Sequence, residues 1–141
     1  MPLQWERPIF DLHARLKADA DAVSDAEARA AVEHIAGAVQ GSCDSCAHYL
    51  FFSIALVCRS KPHLTHEMLI HAVRPLYYLG VQASEDAAAW VRYFLANPMP
   101  CEDSSVAGRL WMEELLLDTA PLQLALSDVA AEERAEDGDA V

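Results

Sequence analysis

Two cysteines at the start of an apolar stretch are the residues best suited to chemistry in this chain. Cys43 and Cys46 form a C-x-x-C step, and His48 follows shortly after the second cysteine. The N-terminus of a helix stabilises a thiolate and lowers the pKa of a thiol placed there. Such a pair could carry out thiol–disulfide exchange, or it could bind a metal. Alternatively, the second cysteine is simply a small apolar side chain in a core.

Residues 34–56, HIAGAVQGSCDSCAHYLFFSIAL, resemble the active-site helix of the AhpD-like, carboxymuconolactone decarboxylase-type family. That family is all-helical, and it carries C-x-x-C at a helix start with a histidine four residues after the second cysteine. In this chain Leu50 occupies that position and His48 lies nearby, while Glu33 is the candidate for the family's upstream glutamate. The resemblance implies a thiol-dependent redox enzyme that uses the two cysteines.

A second group with potential chemistry follows the apolar stretch. Cys58, His63 and His66 are ligand types that zinc prefers, and they would form a metal site separate from the C-x-x-C step. One ion cannot join the two groups, because about 13 helical residues with a rise of 1.5 Å each put roughly 18–20 Å between them. The alternative is that both histidines are polar loop residues beside a helix start. We expect no bound metal and no other cofactor.

The apolar stretch that these groups flank is Tyr49–Cys58, which reads YLFFSIALVC. A helix that is apolar on every side must be enclosed by protein or lipid, and this one is too short to cross a bilayer. The sequence therefore predicts an all-α, single-domain bundle of about six to seven helices around a central apolar helix at residues 46–59. We expect the domain to span residues 1–131, and the acidic residues 132–141 to form a flexible tail.

Capping and stop signals separate the other predicted helices. They are Ser24 with Glu27 as a capping box, Thr65 and Ser84 as further caps, Pro75 as a kink or break, Gly80 as a C-terminal glycine, and the Asn97–Pro100 break. Within the helices, apolar residues recur at helical spacing. Leu110, Trp111 and Leu115 are expected to face inward in the sixth helix, and Leu122, Leu126 and Val129 in the last.

Charge is distributed unevenly over the chain. The formal net charge is −12, with eight acidic against four basic residues in 1–45, one against three in 46–84, and thirteen against three in 85–141. Nucleic-acid phosphates are bound by clustered Lys and Arg. This chain has 10 Lys and Arg residues against 22 Asp and Glu residues, which argues against direct nucleic-acid binding. An acidic surface favours either solubility alone or docking on a basic protein.

Aromatic residues suggest where such docking would occur. Trp and Tyr are typical hot-spot residues of protein interfaces. The candidate partner-binding residues are Tyr77, Tyr78, Arg74, Arg92 and Trp90. The alternative is that these rings fill the core of the bundle.

The function we expect is that of a small acidic cytoplasmic protein that binds and masks another protein, without direct contact to nucleic acid or membrane. A chaperone, an immunity or antitoxin protein, or an inhibitor of a nucleic-acid-handling protein would have this profile. Met1–Glu6 does not resemble a signal peptide, which favours the cytoplasm. We also expect a homodimer, and we do not expect an enzyme. The alternatives are the thiol-dependent redox enzyme and a small metal-binding protein.

Overall fold

The computed structural model describes residues 7–39, 44–97 and 106–139, which form seven α-helices and two short 3-10 helices. The α-helices are α1 Arg7–Ala18, α2 Asp25–Val39, α3 Asp44–Ser60, α4 Thr65–Tyr78, α5 Ser84–Ala96, α6 Val106–Leu117 and α7 Ala120–Asp139. The 3-10 helices, Ala20–Ala22 and Pro62–Leu64, precede α2 and α4. No strand occurs in the described ranges, so the predicted all-α bundle of six to seven helices is confirmed.

The central helix is α3, and its burial explains the unbroken apolar sequence. Every side chain from Ala47 to Cys58 is buried, and α1, α2, α4 and α6 pack around the helix. The predicted central helix at residues 46–59 is thus confirmed within two residues at each end. The hydroxyl of Ser53 donates to the Leu50 carbonyl at 2.8 Å, which satisfies it inside the core. None of the described helices is both long and apolar enough to cross a membrane.

Phe51 lies where α3 meets α5 and α6. Its side chain is fully buried, and its ring centroid is 5.6 Å from that of Phe94 and 6.5 Å from that of Trp111. Both ring pairs are tilted, which is a favourable aromatic geometry. α6 approaches α3 closely at Gly108, where a Cβ atom would lie 3.3 Å from the Cβ atom of Ala55. The aromatic cluster and this close approach hold α5 and α6 against the central helix.

The helix caps agree only partly with the sequence analysis. The capping box is present, since the Glu27 N–H donates to Ser24 Oγ at 3.1 Å and the Ser24 N–H donates to Glu27 Oε1 at 3.4 Å. The predicted Thr65 cap is wrong. Thr65 is the first residue of α4, its hydroxyl donates to the Pro62 carbonyl at 2.7 Å, and Leu64 occupies the cap position without a side-chain bond.

The start of α5 is capped from a distant part of the chain. Ser84 is the first residue of the helix rather than its cap, and Ala83 precedes it without a capping side chain. The Ser84 N–H donates instead to Oε1 of Gln123 in α7, at 3.1 Å. A side chain from another helix therefore satisfies one of the amides that a helix start leaves unpaired.

α4 continues through its internal proline. The sequence predicts a kink or break at Pro75, yet the helix runs on to Tyr78, so the break is absent. Because proline has no N–H, the carbonyl of His71 lacks the donor that a regular α-helix would supply. The inner face is as predicted, and its buried residues are Met68, Leu69, Ala72, Val73 and Leu76.

Gly80 ends α4 as predicted, in a Schellman motif. Its φ is +102°, in the left-handed region that glycine adopts without steric cost. The Gly80 N–H donates to the Tyr77 carbonyl at 3.0 Å, and the Val81 N–H donates to the Leu76 carbonyl at 3.0 Å. Val81 and Leu76 are both buried, so the motif also closes an apolar contact that turns the chain toward α5.

Replacing Gly80 with alanine is expected to lower the free energy of unfolding by about 1–2 kcal/mol. No heavy atom lies within 4 Å of the added Cβ, so the cost is that of the positive φ alone. Urea denaturation followed by circular dichroism measures the change. The matched control is Gly37→Ala inside α2, which is expected to raise the free energy of unfolding by about 0.5–1 kcal/mol. Effects of the same sign at both sites would contradict the assigned backbone conformations.

α6 and α7 complete the bundle. Trp111 and Leu115 are buried as predicted, whereas Leu110 is 44% exposed, so its predicted inward position is wrong. Leu117 is 89% exposed at the end of α6. The predicted inner residues of α7, Leu122, Leu126 and Val129, are all buried.

The last helix extends into the segment for which a flexible acidic tail is predicted. α7 runs to Asp139, so residues 132–139 are helical. Glu132 and Glu133 contact α4 near the start of this segment. The flexibility of the tail, and the domain boundary at residue 131, stay predictions.

Candidate functional site

A groove of about 480 Å³ lies at the C-terminal end of α4 and along α5, and we call it the aromatic groove. Its lining includes Leu79, Gly80, Asp86, Ala89, Trp90 and Tyr93. The Schellman motif at the end of α4 supplies the first two, and one face of α5 supplies the others. Both elements are anchored in the core, by Leu76 and Val81 at the end of α4 and by Val91 and Phe94 in α5.

The walls of the aromatic groove carry solvent-exposed apolar surface. Leu79 and Tyr93 are each 46% exposed. The ring of Tyr93 meets that of Trp90 edge to face, with centroids 5.9 Å apart. Trp90 also lies 5.9 Å from the buried ring of Phe94, which ties the groove to the core. Aromatic side chains held rigidly in this way lose little conformational entropy when they bind, so the groove is suited to an apolar ligand or partner residue.

Negative charge borders this apolar surface. Asp86 lines the aromatic groove, and Glu85 precedes it in the first turn of α5. Both are exposed, and both are favoured there by the positive end of the helix dipole. A ligand that places an apolar group against Trp90 and Tyr93 would therefore meet a carboxylate beside them, which favours a neighbouring positive charge.

A second depression, of about 340 Å³, lies between α2 and α4. We call it the proline pocket, because Pro75 forms part of its wall. Glu33 and Gly37 line it from α2, and Arg74 and Tyr78 line it from α4. Tyr78 lines the proline pocket and the next residue, Leu79, lines the aromatic groove, so both depressions reach the C-terminal end of α4.

Ion pairs and hydrogen bonds hold α4 to its neighbours around the proline pocket. On the α7 side, Arg74 donates to Glu132 at 2.6 Å and the Tyr78 hydroxyl donates to Glu133 at 2.8 Å. The hydrogen bond to Glu133 raises the pKa of Tyr78, so the phenol stays protonated. On the α2 side, the guanidinium of Arg29 donates to both carboxylate oxygens of Glu67, at 2.6 and 3.1 Å.

Three of the five predicted partner-binding residues line one of the two depressions. Trp90 lines the aromatic groove, while Arg74 and Tyr78 line the proline pocket. Tyr77 is partly buried against the core, and Arg92 is exposed on α5 but lines neither depression. Their role in binding stays a prediction.

Of the groove residues, only Trp90 was predicted as a site residue, and the two exposed apolar ones, Tyr93 and Leu79, were missed. Tyr93 follows Trp90 by three positions, a spacing that places both on one face of a helix and could have indicated the pair. Leu79 had no comparable signal, because its exposure depends on how the Schellman motif turns the chain. Both are among the most exposed large apolar residues of the described chain.

The thiol site predicted from the C-x-x-C step lies largely outside the described residues. This holds for Cys43 and for the side chain of Cys46, whose backbone belongs to α3. His48 is described and buried, and its ring stacks on that of Phe94 with centroids 4.6 Å apart and an interplanar angle of 15°. Redox chemistry at this helix start therefore stays a prediction.

Cys58, His63 and His66 are not brought together as a metal site. Within the described ranges no three His, Cys, Asp or Glu side chains form a group that could hold a metal ion. His63 hydrogen-bonds to Asp25 of α2 at 2.9 Å, and His66 to Asp128 of α7 at 2.8 Å. The hydrogen bond from His63 lowers the pKa of Asp25, and burial raises the pKa of the Cys58 thiol to about 12. The two histidines thus link α4 and the segment before it to different helices.

Comparison with known proteins finds no matching family model, no matching curated protein and no matching solved structure. The resemblance to the AhpD-like family is therefore confined to the sequence of residues 34–56. A function can therefore be inferred only from the geometry of the aromatic groove and of the proline pocket.

Proposed function

We propose that this acidic protein binds a basic partner protein through the aromatic groove and acts by masking it. The observation that carries the proposal is a groove of about 480 Å³ that exposed Leu79 and Tyr93 line together with Trp90 and Asp86. Contiguous exposed apolar surface of this kind is typical of protein interfaces. The net charge of −12 supports a partner of opposite sign.

Two parts of the groove would contribute differently to binding. An apolar residue of the partner would bury the rings of Trp90 and Tyr93, and removal of one such hot-spot contact costs about 2 kcal/mol. A basic residue beside it would pair with Asp86, and the acidic surface as a whole would accelerate encounter. Affinity would thus depend mainly on the rings, and the salt dependence of association mainly on the carboxylates.

This mode of action needs no catalytic turnover, because a partner protein whose surface is covered cannot bind its own target. A chaperone, an immunity or antitoxin protein, and an inhibitor of a nucleic-acid-handling protein all work in this way. The proposal places the protein in the cytoplasm, as the sequence analysis does. Formation of a homodimer stays a separate prediction.

Capture from a lysate with matched variants tests the proposal. Tyr93→Ala removes an exposed ring from the groove, and Asp86→Lys reverses its charge. The controls are Leu117→Ala and Glu113→Lys, which make equivalent changes at exposed positions of α6. We expect a basic protein whose recovery falls with both groove variants and with neither control, and whose dissociation constant rises about 30-fold with Tyr93→Ala.

The result that overturns the proposal is equally specific. If quantitative mass spectrometry finds no protein with this pattern of recovery, the aromatic groove is not a partner-binding site. The same conclusion follows if the captured partner is acidic. Far-ultraviolet circular dichroism of all four variants checks that each retains the helical fold.

A further inference from the structure

The proline pocket combines an apolar floor with a polar rim. Leu50 of α3 is fully buried beneath it, and Ala36 and Pro75 add apolar surface from α2 and α4. The carboxylate of Glu33 and the ring of Tyr78 lie at the rim, and Tyr78 is 45% exposed. The volume of about 340 Å³ is at the lower end of the range for ligand sites. The pocket is therefore shaped for a long side chain with a polar end.

Pro75 leaves one backbone acceptor of α4 without its regular α-helical partner. His71 and Pro75 both line the pocket, one helical turn apart. Pro75 has no N–H to give to the carbonyl of His71, so that oxygen lacks its α-helical donor. A donor from a bound group could satisfy it.

Glu33 is the carboxylate that lines the proline pocket, and it forms no ion pair or hydrogen bond with any residue in the described part of the chain. Arg29 interacts with it electrostatically but donates its hydrogen bonds to Glu67. Arg74, which also lines the pocket, is paired with Glu132. The Glu33 carboxylate therefore keeps free acceptor positions at the rim, and a cationic donor is the group that would occupy them.

His71 does not supply that positive charge. Its burial lowers the pKa of the imidazole, and the nearby Arg74 guanidinium lowers it further, against the opposing effect of Glu33, Glu67 and Glu132. The ordinary pKa of histidine is 6.5, so a lowered value leaves the ring neutral at pH 7. A neutral imidazole can accept a hydrogen bond as well as donate one.

We propose that the proline pocket receives an arginine side chain of the partner protein, with its guanidinium at Glu33 and its methylene stem on the apolar floor. This inference rests on the proposed function, because it names part of what the partner presents next to the aromatic groove. Arginine fits better than a compact ammonium for two reasons. Its planar group carries five donors, enough for the Glu33 carboxylate and the His71 carbonyl together. It also stacks on aromatic faces, such as that of Tyr78.

The test uses a short peptide rather than an unidentified partner. The full-length protein, labelled with ¹⁵N, is titrated with acetyl-Gly-Arg-Gly-amide and, separately, with the same peptide carrying citrulline, the neutral isostere of arginine. We expect the arginine peptide to shift the backbone amide signals of residues 33–37 and 71–78. Its affinity should exceed that of the citrulline peptide about five-fold, the effect of one ion pair of roughly 1 kcal/mol.

Two variants locate the binding. Glu33→Gln removes the carboxylate and should abolish the preference for arginine over citrulline. Gly37→Leu should block the pocket, since residue 37 lines it and a Cβ there meets no heavy atom within 4 Å. Glu113→Gln, on a helix that does not line the pocket, should leave binding unchanged.

The outcomes separate this inference from the proposed function. Equal binding of both peptides, signal shifts confined to other residues, or a preference that survives Glu33→Gln would each overturn the arginine site. Tyr93→Ala should leave arginine-peptide binding intact, because Tyr93 does not line the proline pocket. Failure of the aromatic groove in partner capture therefore leaves this titration interpretable, and failure of the titration leaves the groove experiment unaffected.

Discussion

Replacing Phe51 with alanine is expected to lower the free energy of unfolding by about 4 kcal/mol. The side chain is fully buried in α3, and its ring contacts those of Phe94 in α5 and Trp111 in α6. Truncation leaves a cavity at the junction of three helices, and anchored elements cannot collapse readily to fill it. Urea denaturation monitored by circular dichroism and tryptophan fluorescence measures the loss.

The control for this prediction is Leu117→Ala at the end of α6. Leu117 is 89% exposed, so its truncation should change the free energy of unfolding by less than about 0.5 kcal/mol. A loss below about 1 kcal/mol for Phe51→Ala would contradict the central position of its ring. The measurement also bears on the aromatic groove, because Phe94 links Phe51 to Trp90.

The thiol of Cys58 is expected to react with iodoacetamide about 1,000-fold more slowly than an ordinary cysteine in the folded protein at pH 8, because its pKa is raised from 9.0 to about 12. Burial in α3 is the main cause, since the apolar surroundings disfavour the thiolate. Cleavage after Arg29 and Arg59 places Cys43, Cys46 and Cys58 on one tryptic peptide. Fragment ions must therefore assign the rate of alkylation to each residue.

Unfolding provides the control for the Cys58 measurement. In concentrated urea the thiol should react at the ordinary rate, and a fast reaction in the folded protein would show that the C-terminal half of α3 is open to solvent. The pKa shift also sets the sign of a pH effect. Between pH 9.0 and about 12 the thiol ionises in the unfolded chain but not in the folded one, so the free energy of unfolding falls as pH rises through this window.

The fold was predictable where local sequence and tertiary environment favour the same structure. The apolar stretch from Tyr49 to Cys58 indicates a helix buried on every side, and such a helix becomes the centre of a bundle wherever it occurs. The Ser24–Glu27 capping box and the Gly80 turn are decided by bonds within a few residues. Neither the capping box nor the Gly80 turn depends on contacts between residues that are distant in the sequence.

The predictions that failed depend on distant contacts. Ser84 has the sequence of a cap, but Gln123 of α7 reaches the start of α5 and the helix begins at Ser84 itself. Leu110 has helical spacing with buried residues, yet no other helix covers it fully. Of the predicted kink or break at Pro75, the break is absent, and α4 packs against α2, α3 and α7; the kink stays a prediction. In each case the outcome depends on which other helices lie nearby and not on the local sequence.

The candidate site was predictable only in composition. Aromatic residues and arginines near the end of α4 indicated a surface for recognition, and Trp90, Tyr78 and Arg74 do line the two depressions. The sequence could not show that Arg74 pairs with Glu132 while Glu33 forms no ion pair with a described residue. That difference depends on which side of α4 faces α7.

The bond between Gln123 and Ser84 has a consequence for the order in which the binding surface matures during synthesis. Ser84 leaves the ribosome 39 residues before Gln123. Until α7 has emerged, the N–H of Ser84 at the start of α5 therefore lacks the side-chain oxygen of Gln123 as its acceptor. Asp86 lies in the first turn of α5, and Trp90 follows it one turn later. A nascent chain therefore completes its aromatic groove only after α7 has been synthesised, and a truncated product that lacks α7 would present this surface without the Ser84–Gln123 bond.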